Sequence, residues 1–78
     1  MTDHLLAIDQ GTTSTRAIVF GADGRERSRA QEELTQHYPG PGWVEHDPEE
    51  IWRATRSVAE RALAAAGIAP SAVAGIGI

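Results

Sequence analysis

Between the apolar runs Leu5-Leu6-Ala7-Ile8 and Ala17-Ile18-Val19-Phe20 stand the eight residues Asp9-Gln10-Gly11-Thr12-Thr13-Ser14-Thr15-Arg16. They hold one carboxylate, one glycine, four hydroxyls and one guanidinium. Two short apolar runs joined by a polar, glycine-containing segment predict a β-hairpin. Gly11 lets the backbone bend, or approach a ligand, with no Cβ in the way. Hydroxyls and N–H groups around such a bend can donate to an anion held in its crook. Asp9 repels a phosphate but suits a hydrated Mg²⁺ that accompanies one. Asp, Gly, Thr and Ser are also ordinary turn formers, and residue by residue that is their commoner use. Taken as a set between two buried strands, they indicate a phosphate and metal site.

Two familiar phosphate grips are excluded. The chain has no lysine and no G-x-x-x-x-G-K-[ST] string, so a P-loop is absent. It has no G-x-G-x-x-G string either, so the grip has to come from a hairpin instead of a glycine loop opening a helix.

The totals narrow the class. Seventy-eight residues make one small domain or part of a larger one. A domain of this size is marginal without staples. With no cysteine there are no disulfides or thiolate metal sites, and a cytoplasmic location is expected. The start Met1-Thr2-Asp3-His4 is acidic, and the apolar run behind it is too short for a signal peptide. No run approaches the ~20 apolar residues of a membrane span. The formal net charge is −4, and all seven basic residues are arginines scattered along the chain, which argues against nucleic acid as a partner. An anionic nucleotide would then need a local donor cluster and a divalent cation.

Local signals place the remaining elements. Gly21-Ala22-Asp23-Gly24 predicts a tight hairpin turn. Arg25 to about Gln36 reads as a polar third strand, suited to a sheet edge, with its charges a solvated face. Pro39-Gly40-Pro41-Gly42 predicts a loop, with Trp43-Val44 anchoring it. His37 and His46, with Glu45 and Asp47 beside the second, lack the i, i+4 spacing of a helical metal pair and read as structural or exposed. Asp47 as cap, Pro48 at the first position and Glu50 closing an acidic capping box predict a helix. Its apolar stripe is Ile51, Trp52, Thr55, Val58, Ala59, Ala62, Leu63 and Ala66, read as core. Glu49 and Arg53 form an i, i+4 pair, Gly67 ends the helix, and Pro70 follows. Ala72 to Ile78 reads as a last strand whose glycines suggest a close backbone approach.

The string Ala7-Ile8-Asp9-Gln10-Gly11-Thr12-Thr13-Ser14-Thr15-Arg16-Ala17 resembles the first phosphate-binding signature of the glycerol kinase branch of the FGGY carbohydrate kinases. A second string, Gln36-His37-Tyr38-Pro39-Gly40-Pro41-Gly42-Trp43-Val44-Glu45-His46-Asp47-Pro48, is similar to the same branch. The first string alone is shared across the wider actin-like ATPases; the second narrows the match. The resemblance covers essentially the whole chain, although family members are several times longer. It implies an α/β fold, the first half of a ribonuclease-H-like (actin-like ATPase) domain, in the order β-hairpin, β, α, β, and incomplete. Residues 1–78 would be the N-terminal part of the first FGGY domain.

The resemblance further implies ATP and Mg²⁺ as cofactors and glycerol as the small-molecule substrate, phosphorylated to sn-glycerol 3-phosphate by a homo-oligomeric parent. Asp9 would hold Mg²⁺ through water. Thr12, Thr13 and Ser14 would donate to the ATP and ADP phosphates, Thr12 also meeting the product phosphate. Arg16 would neutralise phosphate charge, its alternative being a strand-edge ion pair. Gly11 and Gln10 support the turn. The general base would lie downstream, as would the glycerol and adenine contacts, so the 78 residues alone should not turn over. Two alternatives stay open: another FGGY kinase acting on xylulose, ribulose or gluconate, and a non-catalytic actin-like nucleotide module.

Overall fold

The computed structural model describes residues 3–11, 13–35 and 47–78. In chain order these form β1 (His4–Gln10), β2 (Ser14–Phe20), β3 (Glu26–Glu33), α1 (Pro48–Ala66), a single 3₁₀ turn (Pro70–Ala72) and β4 (Val73–Gly77). The four strands make one sheet in the order β3-β2-β1-β4. β1, β2 and β3 are antiparallel neighbours, and β4 returns beside β1 in parallel. This is the expected order, with the polar β3 on an edge. The proline-glycine loop, Trp43-Val44, His37 and His46 lie outside the described residues.

The core forms where one face of the sheet meets α1. Side chains alternate along a strand, so β1 sends Leu6 and Ile8 to that face and β2 sends Thr15, Ala17 and Val19. From the helix come Ala54, Val58, Ala62 and Leu63, the first three fully buried. α1 lies mainly over β2 and β3. Alanines at 17, 54 and 62 let helix and sheet approach closely, and the Ser28 hydroxyl of β3 donates to the Ala62 carbonyl within this contact.

The helix differs from its sequence reading in three respects. Trp52 is 61 % exposed and so lies outside the core. The stripe that packs is centred on Ala54, Val58 and Ala62, because the small side chains, not the largest one, fit the gap over the sheet. The Asp47 carboxylate does cap, accepting from the Glu49 N–H at 3.0 Å. Glu50, however, does not close the box: it accepts from the Thr35 N–H just after β3, tying the helix start to that edge strand. Among the described residues the i, i+4 ion pair along α1 is Arg56–Glu60 at 3.6 Å, not Glu49–Arg53.

The turn between β2 and β3 closes with Gly21 N–H on the Arg25 carbonyl. The Arg25 N–H donates to the Asp23 carboxylate. That bond first, and the Arg27 guanidinium second, hold the Asp23 carboxyl below its ordinary value. β3 runs from Glu26 to Glu33, shorter than the sequence suggests, because Leu34 and Thr35 turn to contact the first hairpin and the start of α1.

The opposite face of the sheet has no helix on it among the described residues. Leu5 is 54 % exposed there. Together with Ala7, Phe20, Gly75 and Gly77 it borders a shallow apolar trough of about 440 Å³. A Cβ at Gly75 would meet Leu5 Cδ2 at 3.7 Å, an ordinary contact, and one at Gly77 would meet nothing within 4 Å. The close backbone approach expected at these glycines is therefore not present within the described chain.

Gly67 ends α1 in the left-handed region, φ 71°, with its N–H on helix carbonyls. A Cβ there has open space, so the cost of Gly67→Ala is backbone strain alone. That substitution should destabilise the fold by about 1 kcal/mol, read as a lowered midpoint of thermal unfolding.

Candidate phosphate-binding hairpin

The hairpin is tighter than the eight-residue segment suggests. Asp9 and Gln10 belong to β1, and Ser14, Thr15 and Arg16 to β2. The Gly11 N–H donates to the Ser14 carbonyl at 2.8 Å and closes the bend. On the β3 side, the Leu34 N–H donates to the Thr13 carbonyl at 2.8 Å. The bend is thus fixed from within and from the neighbouring strand. Thr12 lies outside the described residues.

Register decides which side chains share a face. Asp9 pairs with Arg16 and Gln10 with Thr15. Arg16 Nη2 reaches Asp9 Oδ2 at 2.6 Å, so carboxylate and guanidinium form a cross-strand ion pair on the face away from α1. Ser14 sits two residues along the same strand face, and its Oγ accepts from Gln31 Nε2 of β3 at 3.1 Å. This leaves the Ser14 proton free to point outward. Asp9, Gln10, Gly11 and Thr13 are all exposed at this end of the sheet.

Thr15 is the exception among the four hydroxyl residues. It is fully buried beneath α1, and its Oγ1 has no partner among the described residues. It serves packing and cannot reach a ligand on the Asp9 face. Gln31 is the polar neighbour that sequence reasoning missed. Its only signal was its place opposite Arg16 in the β2–β3 register, which the sequence does not print.

Gly11 does not have a positive φ. A Cβ on it would lie 3.5 Å from the Ser14 carbonyl oxygen, which is ordinary contact. The fold would accept alanine here, so glycine is explained better by what approaches the bend than by the bend itself.

The donor set suits a magnesium-bound polyphosphate. Exposed N–H and hydroxyl donors and one guanidinium fit the anion. Among the described residues no three of His, Cys, Asp or Glu converge to hold a metal ion. The hairpin offers a cation one carboxylate, which fits Mg²⁺ retaining most of its waters.

The sequence profile described as the FGGY family of carbohydrate kinases, N-terminal domain, matches residues 4–78, which takes in every strand and the helix. The chain belongs to the FGGY family of carbohydrate kinases. Among its FGGY relatives, the glycerol kinase of Verminephrobacter eiseniae is 60 % identical over 75 residues, covering 96 % of this chain and 15 % of that protein. The glycerol kinase of Citrifermentans bemidjiense is 55 % identical over 76 residues, covering 97 % of this chain and 15 % of that one. The xylulose kinase from Rhodospirillum rubrum superposes with a TM-score of 0.82 at 32 % identity, over 94 % of this chain and 15 % of its own. A xyloylose kinase from Brucella ovis superposes with a TM-score of 0.75 at 32 % identity, over 80 % and 13 %. The chain therefore spans about 15 % of the length of the curated FGGY relatives it matches. Within the actin-like ATPase fold of these kinases, it supplies a mixed four-stranded sheet and one helix.

Two substitutions separate packing from chemistry at the hairpin. Thr15→Val removes a buried hydroxyl that has no partner among the described residues, so stability should stay level or rise by up to about 1 kcal/mol. Asp9→Asn breaks an ion pair whose carboxylate is 63 % exposed, so stability should fall by no more than about 1 kcal/mol. Denaturant unfolding of each variant measures both.

Proposed function

We propose that the chain is the opening part of the first domain of a cytoplasmic, ATP- and Mg²⁺-dependent glycerol kinase that makes sn-glycerol 3-phosphate. The observation that carries this reading is the identity of 53–60 % to proteins named glycerol kinase, against 32 % to the two xylulose-type kinases of known structure. The hairpin is then half of a phosphate site. Its open end supports this, since a wall from elsewhere in the protein has to complete it.

In this reading Asp9 holds the hydrated cation, while Thr13 and Ser14 donate to the nucleotide phosphates. Thr12 joins them and also meets the product phosphate. Gly11 and Gln10 shape the bend. Magnesium, when bound, neutralises phosphate charge during transfer. The Asp9–Arg16 pair gives the site a resting state. With a magnesium-bound polyphosphate present, Asp9 would hold the hydrated cation and Arg16 the phosphate oxygens. Opening an exposed pair of this kind costs only about 0–1 kcal/mol, and two charge-assisted contacts replace one.

A xylulose-type substrate is the second reading, favoured by the two superposed structures. Assay of the intact kinase with glycerol, xylulose, ribulose and gluconate decides between them. Glycerol is expected to give the highest kcat/KM by about 10²-fold or more, as hydroxyl-reading sites discriminate; a pentulose in first place overturns the proposal. In the same enzyme Asp9→Asn should lower turnover about 10²-fold and raise the Mg²⁺ concentration needed for half-maximal rate. Unchanged magnesium dependence would remove the metal role from Asp9.

A further inference from the structure

On the sheet face turned away from α1, Gln31 of β3 stands opposite Arg16, and Arg16 stands opposite Asp9. One step toward the open end of the hairpin, Glu33 stands opposite Ser14. Neighbouring strands lie about 4.8 Å apart, so side chains in these two rows are within reach of one another. Asp9, Gln31 and Glu33 are exposed there, and Ser14 and Arg16 are half-buried.

A serine hydroxyl owns one proton and two acceptor lone pairs, and it rotates to suit its surroundings. An ionised Glu33 can only accept, so a hydroxyl left alone beside it is drawn to give its single proton to the carboxylate. Only lone pairs would then face a phosphate, which is itself an acceptor. Gln31 sets the opposite polarity. Its Nε2 donates to Ser14 Oγ at 3.1 Å along the diagonal between the strands. That bond fills one lone pair and turns the Ser14 proton away from β3. Gln31 is anchored in its turn from the other face of the sheet. Its backbone carbonyl accepts from Arg61 Nη2 of α1 at 3.3 Å, and the same guanidinium reaches Glu32 at 3.6 Å.

We propose that Gln31 is a positioning residue: by donating to Ser14 Oγ it keeps the Ser14 proton for the nucleotide phosphates and away from Glu33, a role that rests on the hairpin being the phosphate site. Gln31 touches no reacting atom. A neutral donor suits this place for a second reason. A cationic side chain opposite Arg16 would compete with it for Asp9. A carboxylate there would take the Ser14 proton outright and set negative charge beside a polyphosphate.

A double-mutant cycle in the intact kinase tests this, with MgATP and the acceptor alcohol varied in turn. Gln31→Met keeps the side-chain length and removes the donor. It should lower kcat/KM for MgATP about three- to tenfold, the range set by one neutral hydrogen bond, and leave KM for the acceptor alcohol unchanged. Ser14→Ala should lower the same quantity at least as far. The double variant should match Ser14→Ala to within about twofold, because a residue acting through Ser14 has nothing left to aim. Gln31→Glu is nearly isosteric with the native side chain, so it tests the polarity even where Gln31→Met folds poorly, and it should fall below the unsubstituted kinase by about tenfold or more. Normal MgATP kinetics in both Gln31 variants, beside an impaired Ser14→Ala, overturn the positioning role and leave the phosphate site standing. A Gln31→Met loss that persists in the Ser14→Ala background, or that raises both KM values alike, also overturns it, since the residue then acts through the fold. Normal kinetics in Ser14→Ala remove that hydroxyl from the phosphate site and overturn the positioning role together with it.

Discussion

The alternation of β2 governs both the fold and the hairpin. Thr15, Ala17 and Val19 must face α1, because only that arrangement buries an apolar stripe against Ala54, Val58 and Ala62. Ser14 and Arg16 are thereby committed to the opposite face. A slip of one residue would bury the guanidinium and expose the core. Packing thus selects which hydroxyls can meet a ligand, before any ligand is considered.

The same constraint places Asp9. With β1 antiparallel to β2 and the bend closed by Gly11 and Ser14, residue 9 has only residue 16 to face. Opposite charges at that position produce a compact, exposed pair in which each member is held ready by the other. A cation and a polyanion arriving together can divide such a pair between them, whereas either alone would leave one side unmatched.

The parts legible in the sequence were those set by local chemistry. Asp47, Pro48 and Gly67 act within a turn of their own position, so the ends of α1 could be read directly. The apolar runs and the Asp23-Gly24 turn gave the strand order for the same reason. Trp52 was misread because helical periodicity marks a wide stripe. Which edge of it sinks into the core depends on the volume left by Ala17 and Val19 in another element. Thr15 shares its hydroxyl chemistry with Thr13 and Ser14, and the pleat is what turns it into the core. Glu50 has the right spacing for a capping box, yet the Thr35 N–H just after β3 outcompetes the local partner, and that competitor lies 15 residues away.

Among the described residues, the trough beside Leu5 and Phe20 leaves the sheet laminated on one side only. Such a surface is adhesive in water, since contiguous apolar area of this kind is found where something else docks. For anyone handling these residues apart from the rest of a protein, the practical result is a preparation that clumps as concentration rises. Detergent or a fused solubilising partner would have to shield this apolar face.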